Sequence, residues 1–221
     1  AWNGALDAIR VEGGTEEQRT VFATALYHSL QAPNVYSDVD GRYRGLDHDI
    51  HVTRGTRRYT VFSLWDTFRA THPLYTLIEP DRTRVFIRTF LGMFRVGGRL
   101  PVWELAGNET MCMIGYHSVS AIAEAYAKGI RGFDAEEALE AMKSSAMQDP
   151  LGLEQYRRLG HIPGEEEAES VSKTLEYAYD DWCSARMADA LGREDDREEY
   201  SRRAQSWRNI LDPETGFMRP K

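Results

Sequence analysis

The chain has 221 residues, a formal net charge of −8, 42% hydrophobic and 28% charged residues, the balance of an ordinary globular protein long enough to bury a core. Acidic and basic residues are interspersed and no basic patch gathers, which argues against a nucleic-acid-binding surface, and no apolar run approaches a membrane span. Cys112 and Cys183 have neither metal nor redox spacing and are expected as buried free thiols.

The chain opens on Ala1-Trp2-Asn3-Gly4, with no initiator Met and no charged-then-apolar leader, so any signal segment is expected upstream of it. Thr15-Glu16-Glu17-Gln18 spells a capping box. It opens a helix whose apolar face is expected to hold Val21, Phe22, Ala25, Leu26, Ser29 and Leu30. From Pro33 to Tyr59 the texture turns to Gly, Asp, Arg and Tyr, with a turn at Asp40-Gly41. Thr53 to Phe62 alternates like a short strand or hairpin arm. Pro80-Asp81 starts a helix carrying Val85, Phe86, Phe90, Leu91 and Phe94, stopped at Gly97-Gly98. Another runs from about Ser118 to Gly129. Asp134-Ala135-Glu136-Glu137 is a second capping box, opening a helix that stops before Asp149-Pro150. Ser170 starts the longest helix, with Val171, Leu175, Ala178, Trp182 and Ala185 on one stripe. A last helix spans roughly Asp195 to Leu211. Successive helices joined by long, polar, aromatic-bearing loops suit a helical toroid with a small β-hairpin or irregular insertion.

Three loops combine aromatic rings with carboxylates or amides: Ser37 to Tyr43, Phe62 to Arg69, and Pro101 to Thr110. Sugars call for that mixture, because a ring packs on the apolar face of a pyranose while carboxylates and amides take its hydroxyls. Asp38-x-Asp40-Gly41 fails as a calcium loop, since Tyr43 stands where the loop needs Gly, and it is expected as a turn whose Asp side chains bond local backbone. Asn108-Glu109-Thr110 is a glycosylation sequon among Trp, Gly and Met, where a buried or site-lining Asn is expected. His117 is expected as a satisfied core histidine. Asp180 and Asp181 are adjacent in a helix and so cannot share a face. One is expected to cap a neighbouring loop and the other to be solvated.

Six stretches together resemble glycoside hydrolase family 92, in order and spacing: Tyr27 to Asn34, Ser37 to Arg44, Tyr59 to Ala70, Leu100 to His117, Ser170 to Trp182, and Thr215 to Pro220. One departure is Met111, where the family more often carries Asn. The resemblance implies a mainly α fold, the first part of an (α/α)6 barrel. Residues 1–221 would be a single partial domain, without the family's N-terminal β-sandwich and the C-terminal half of the barrel. It implies an α-mannosidase that releases terminal α-linked mannose, with α-1,2 linkages expected, from N-glycans or mannan. The reaction inverts the anomeric centre between a general acid and a general base, with calcium as cofactor. Trp65 and Asp66 fall on the family's mannose-binding pair. Asn108 and Glu109 are expected to face the same pocket, with Trp103 and Glu104 behind them, and Asp38 and Asp40 follow as weaker candidates. The catalytic carboxylates and the calcium ligands are implied downstream of Lys221, so none is assigned within the chain. A mannose-containing glycan is the implied partner, together with the missing parts of the parent chain, and a periplasmic or secreted location is implied. The competing readings are a carbohydrate-binding or scaffolding helical module without catalysis, and a different toroidal glycosidase or lyase.

Overall fold

A computed structural model describes residues 2–221. Its helices are α1 (Trp2–Leu6), α2 (Glu16–Ser29), α3 (Leu64–Thr67), α4 (Thr71–Ile78), α5 (Pro80–Gly97), α6 (Ser118–Ala127), α7 (Ala135–Ala146), α8 (Leu153–Leu159), α9 (Ser170–Ala190) and α10 (Glu194–Arg203), followed by a 3-10 turn over Ser206–Ile210. Short strands interrupt them: β1 (Asn34–Val35), β2 (Arg42–Arg44), β3 (Ile50–Val52), β4 (Tyr59–Thr60), β5 (Phe62–Ser63), β6 (Trp103–Leu105) and β7 (Asn108–Glu109). The molecule is mainly helical with small sheets.

Local chemistry sets the helix ends where the sequence places them. Thr15 accepts from the Gln18 amide while the Gln18 side chain accepts from the Thr15 amide, a complete capping box. Pro80 sits in the first turn of α5, and Gly98 closes that helix in the left-handed conformation. Asp134 caps α7 through the Glu137 amide. Four short helices go unannounced in the sequence: α1, α3, α4 and α8. α4 carries Pro73 in its first turn, where a missing N–H costs nothing. α8 is one short run between left-handed Gly152 and Gly160.

The core gathers on the inner face of α5, where Phe86, Ile87, Phe90 and Leu91 are all but inaccessible. Phe62 meets Phe86 and Phe90 edge to face, at 5.5 and 4.8 Å between ring centres, the geometry that the ring quadrupole favours by about 0.5–1.5 kcal/mol a pair beyond burial. β2 and β3 form the hairpin, pairing Tyr43 with His51. The expected strand over Thr53 to Phe62 shrinks to β4 and β5, because Val61 between them turns to φ +69°, a value a β-branched residue adopts only when its surroundings force it. The last helix likewise breaks after Arg203.

Three helix-face expectations are corrected. On α2, Leu26 and Leu30 are buried and Phe22 packs half-buried on the core, but Val21 is 62% exposed and Ala25 is open, so the face that meets the core is narrower than the apolar stripe. On α9, Trp182 is 50% exposed, while Val171 and Leu175 are half-buried. That helix packs between α6, α7 and α10 and turns a polar side inward. Asp180 and Asp181 are both fully buried; neither is solvated. Cys112 is also exposed, against expectation, and Cys183 is buried.

Burial of Asp181 is met donor by donor. Its carboxylate accepts from Tyr116 Oη at 2.7 Å, Tyr156 Oη at 2.8 Å and Arg203 Nε at 3.0 Å. Burial pushes its pKa up to about 6, against the pull of Arg203 and both tyrosines. Asp181→Ala leaves the Arg203 guanidinium buried without its counter-charge and is expected to lower unfolding free energy by about 3–5 kcal/mol, read from urea denaturation, with Asp181→Asn costing less because an acceptor remains.

Candidate functional site

Strand pairing brings two of the three sugar-suited loops together. β5 pairs with β6 and β6 with β7, setting Phe62 opposite Glu104, Ser63 opposite Trp103 and Glu104 opposite Glu109. Phe62 and Glu104 point into the protein, so Ser63 and Trp103 face the other side. α3 starts directly after Ser63 and carries Trp65 and Asp66 to the same edge. Asp66 is exposed and accepts a hydrogen bond from the Ser63 hydroxyl. Trp65 is half-buried; its indole N–H is buried without a partner, and the Arg69 guanidinium lies 5.0 Å over its ring.

The other residues of the pocket loop build it. Glu104 is fully buried. It accepts from the Gly107 amide at 2.7 Å and from the Thr60 hydroxyl at 3.0 Å. Burial raises its pKa against those hydrogen bonds and one from the Val61 amide. Glu109 accepts from the amides of Val102 at 2.8 Å, Trp103 at 3.0 Å and Met111 at 2.9 Å. Asn108 is exposed, not buried, and its amide donates to Leu105 O and Ala106 O across the Ala106-Gly107 turn. That two-residue turn needs positive φ at both positions and has it, at +50° and +74°. At this edge Asp66 is exposed and the rings of Trp65 and Trp103 are half-buried. Asp38 and Asp40 sit apart on an exposed turn, where Asp40 accepts from the Arg42 amide at 3.1 Å and pairs with its Nε at 2.6 Å.

A cluster behind α3 was not legible in the sequence. His117 is buried, as expected of a core histidine. Its Nδ1 lies 2.7 Å from Asp180 Oδ1, and its Nε2 lies 3.0 Å from Glu176 Oε2 but out of line for a hydrogen bond. The Phe68 ring stacks on the imidazole, 3.9 Å between centres and 15° between planes. Burial lowers the His117 pKa, and Asp180 and Glu176 outweigh it, holding it at about 9. The signal was the i, i+4 spacing of Glu176 and Asp180, which puts both carboxylates on one side of α9. Among the described residues no three His, Cys, Asp or Glu side chains converge as a metal site.

Residues 1–221 match the sequence profile of the glycosyl hydrolase family 92 catalytic domain. The chain superimposes on a family GH92 α-mannosidase of Bacteroides thetaiotaomicron with a TM-score of 0.95 and 44% identity, covering 100% of this chain and 30% of that one. The same mannosidase is known in complex with mannoimidazole. A second structure from that bacterium, an inverting family GH92 mannosidase, gives a TM-score of 0.90 and 38% identity over 100% of this chain and 31% of that one. A protein of Arthroderma benhamiae named as an uncharacterized secreted glycosidase is 26% identical over 96% of this chain and 25% of its own length. The chain thus spans less than a third of the relatives it matches.

Met111 holds φ at +52°, a left-handed conformation that Asn adopts more readily than other non-Gly residues. Met111→Asn is expected to raise stability by about 0.5–1 kcal/mol, seen as a higher melting temperature. His117 holds its proton up to about pH 9, against an ordinary value of 6.5. The stability this proton contributes is fully present below about pH 6.5 and is lost as pH rises through about 9. Urea unfolding is expected to weaken by on the order of 1–3 kcal/mol across that window, and His117→Gln to remove that part of the slope.

Proposed function

The chain belongs to glycosyl hydrolase family 92, and on that premise we propose that its parent polypeptide is an exo-acting α-mannosidase to which residues 1–221 contribute part of the mannose subsite. The observation that carries the reading is the presentation of exposed Asp66 beside the Trp65 ring at the edge of the β5–β6–β7 sheet. A carboxylate takes vicinal sugar hydroxyls as a charged acceptor, and an indole face packs on the apolar side of a pyranose. Trp103 lines the same edge. Glu104, Glu109 and Asn108 hold the loop that carries it. The mannosidase relatives, one in complex with mannoimidazole, support the substrate class.

The hydrolytic step is assigned to carboxylates of the parent outside this chain. We take it to invert the anomeric centre, with a raised-pKa acid protonating the leaving oxygen and a base activating water; an inverting mannosidase among the similar structures supports this. Calcium is proposed as the cofactor, with ligands supplied from outside residues 1–221, and terminal α-1,2-linked mannose as the bond cleaved. In that reading residues 1–221 form the first part of an (α/α)6 barrel, and the parent adds a β-sandwich and the rest of the barrel. Export to the periplasm or medium is proposed too; the fungal relative is named as secreted, and no helix among the described residues is long and apolar enough to cross a membrane.

Restoring the parent chain and measuring mannose release is the test. Asp66→Ala is expected to lower kcat/KM roughly 10- to 100-fold, the value of charged hydrogen bonds worth about 1.5–3 kcal/mol, without loss of fold because Asp66 is exposed. A chelator is expected to abolish release, and full activity after calcium removal would sink the calcium-assisted scheme.

A further inference from the structure

α3 is four residues long, and the Ser63 side chain makes no capping bond to its backbone. So short a helix does not hold two ligand-binding side chains by itself. The residues that follow it are fixed from behind. Phe68 lies flat on the buried His117 imidazole. Arg69 covers the Trp65 ring and donates through Nη2 to Glu176 Oε1 at 2.9 Å. The other Glu176 oxygen lies 3.0 Å from His117 Nε2. His117 Nδ1 meets Asp180 Oδ1 at 2.7 Å, and Asp180 Oδ2 accepts from the Tyr116 amide at 2.7 Å. Charges alternate along this file, from Asp180 through His117 and Glu176 to Arg69, and it ends on the aromatic ring assigned to the sugar.

We infer that the file Asp180–His117–Glu176–Arg69 is the device that sets the orientation of the Trp65 ring, with Glu176 as its joint. The inference rests on the mannose-binding role proposed above. None of these four residues is placed against the sugar; they are positioning residues. Two observations fit a device more than a filler. Glu176 is only half-buried, yet it binds a cation on each side. Arg69 is exposed, so hydrophobic burial does not hold it over the indole. The groups facing His117 are Asp180 and Glu176 from α9, Phe68 from the α3 side, the Tyr179 ring at 6.2 Å, and Arg69 through Glu176. Loss of the imidazolium proton removes the charge that holds Glu176 from the inner side, so sugar affinity should fall where that proton leaves, near pH 9.

The test uses the full parent chain and an α-linked mannoside, with KM and kcat measured across pH. R69Q and E176Q are expected to raise KM about tenfold with kcat changed less than about threefold, because binding common to ground and transition states is what is lost. R69K keeps the charge without the planar stacking and should recover part of the loss. In the unsubstituted enzyme KM should climb above about pH 9. In E176Q that climb should begin roughly one unit lower or more, since one of the two carboxylates holding the proton is gone. Melting temperatures separate this from unfolding, and R69Q alters only an exposed side chain. Unchanged KM in R69Q and E176Q, or a KM rise in E176Q with its pH limb unmoved, overturns the inference while an active unsubstituted chain leaves the mannosidase reading standing. An unsubstituted full chain that releases no mannose from any mannoside overturns that reading, and with it the sugar-positioning role inferred from it.

Discussion

Two neighbouring carboxylates in the middle of a buried helix are the constraint from which much of this molecule follows. A charge taken out of water costs several kcal/mol unless ion pairs and hydrogen bonds replace the water, and α9 buries two in succession. Successive helical side chains diverge by about 100°, so Asp180 and Asp181 must be met from different sides. Asp180 is met by His117 and the Tyr116 amide, Asp181 by Arg203, Tyr156 and the Tyr116 hydroxyl. Tyr116 alone touches both, with its backbone on one and its side chain on the other. These bonds draw the start of α6, the body of α8 and the end of α10 around α9.

The polar side of α9 also reaches the edge where the sugar-suited residues stand. Glu176 is one turn before Asp180, and its ion pairs link His117 to Arg69 and so to Trp65. The sheet supports the same edge from the other flank. Val61 takes a left-handed backbone so that β4 and β5 can pair with different partners, and its amide helps satisfy the buried Glu104. Strain of that kind costs of order 1–3 kcal/mol and persists where the surroundings over-determine it. Here the surroundings are the Phe62 cluster beneath and the Glu104 carboxylate beside it.

What the sequence discloses is what is decided within one turn of chain. Thr15, Pro80, Gly98 and Asp134 mark helix ends because a cap is a bond between near neighbours. The core of α5 is legible for the same reason, its period being set by Phe86, Phe90 and Leu91 alone. The candidate residues Trp65 and Asp66 stand out by their resemblance to a family pair, and the shared sheet edge with Trp103 does not, because pairing of Ser63 with Trp103 spans forty residues of chain. The α9 face misleads because apolar periodicity assigns Trp182 inward and leaves one of the two carboxylates to solvent, whereas partners distant in sequence bury both and turn Trp182 half out. Of the two places expected for Asn108, burial is ruled out, since the turn it belongs to uses its amide at the surface.

Glu104 shows why a titration signature has to be weighed against geometry. A carboxyl whose pKa is raised by burial, opposite a second carboxylate on a paired strand, has the outward marks of a glycosidase acid. Such an acid must reach the leaving oxygen, and its partner must have a water or a sugar carbon before it. Glu104 has no accessible surface, and its oxygens accept from Thr60, Gly107 and Val61. Glu109 spends its carboxylate on three backbone amides of the same loop. Both acids are thereby committed to folding the loop. The exposed carboxylate at this edge, Asp66, gives one acceptor position to the Ser63 hydroxyl and keeps the others turned to solvent, the arrangement suited to accepting hydroxyls.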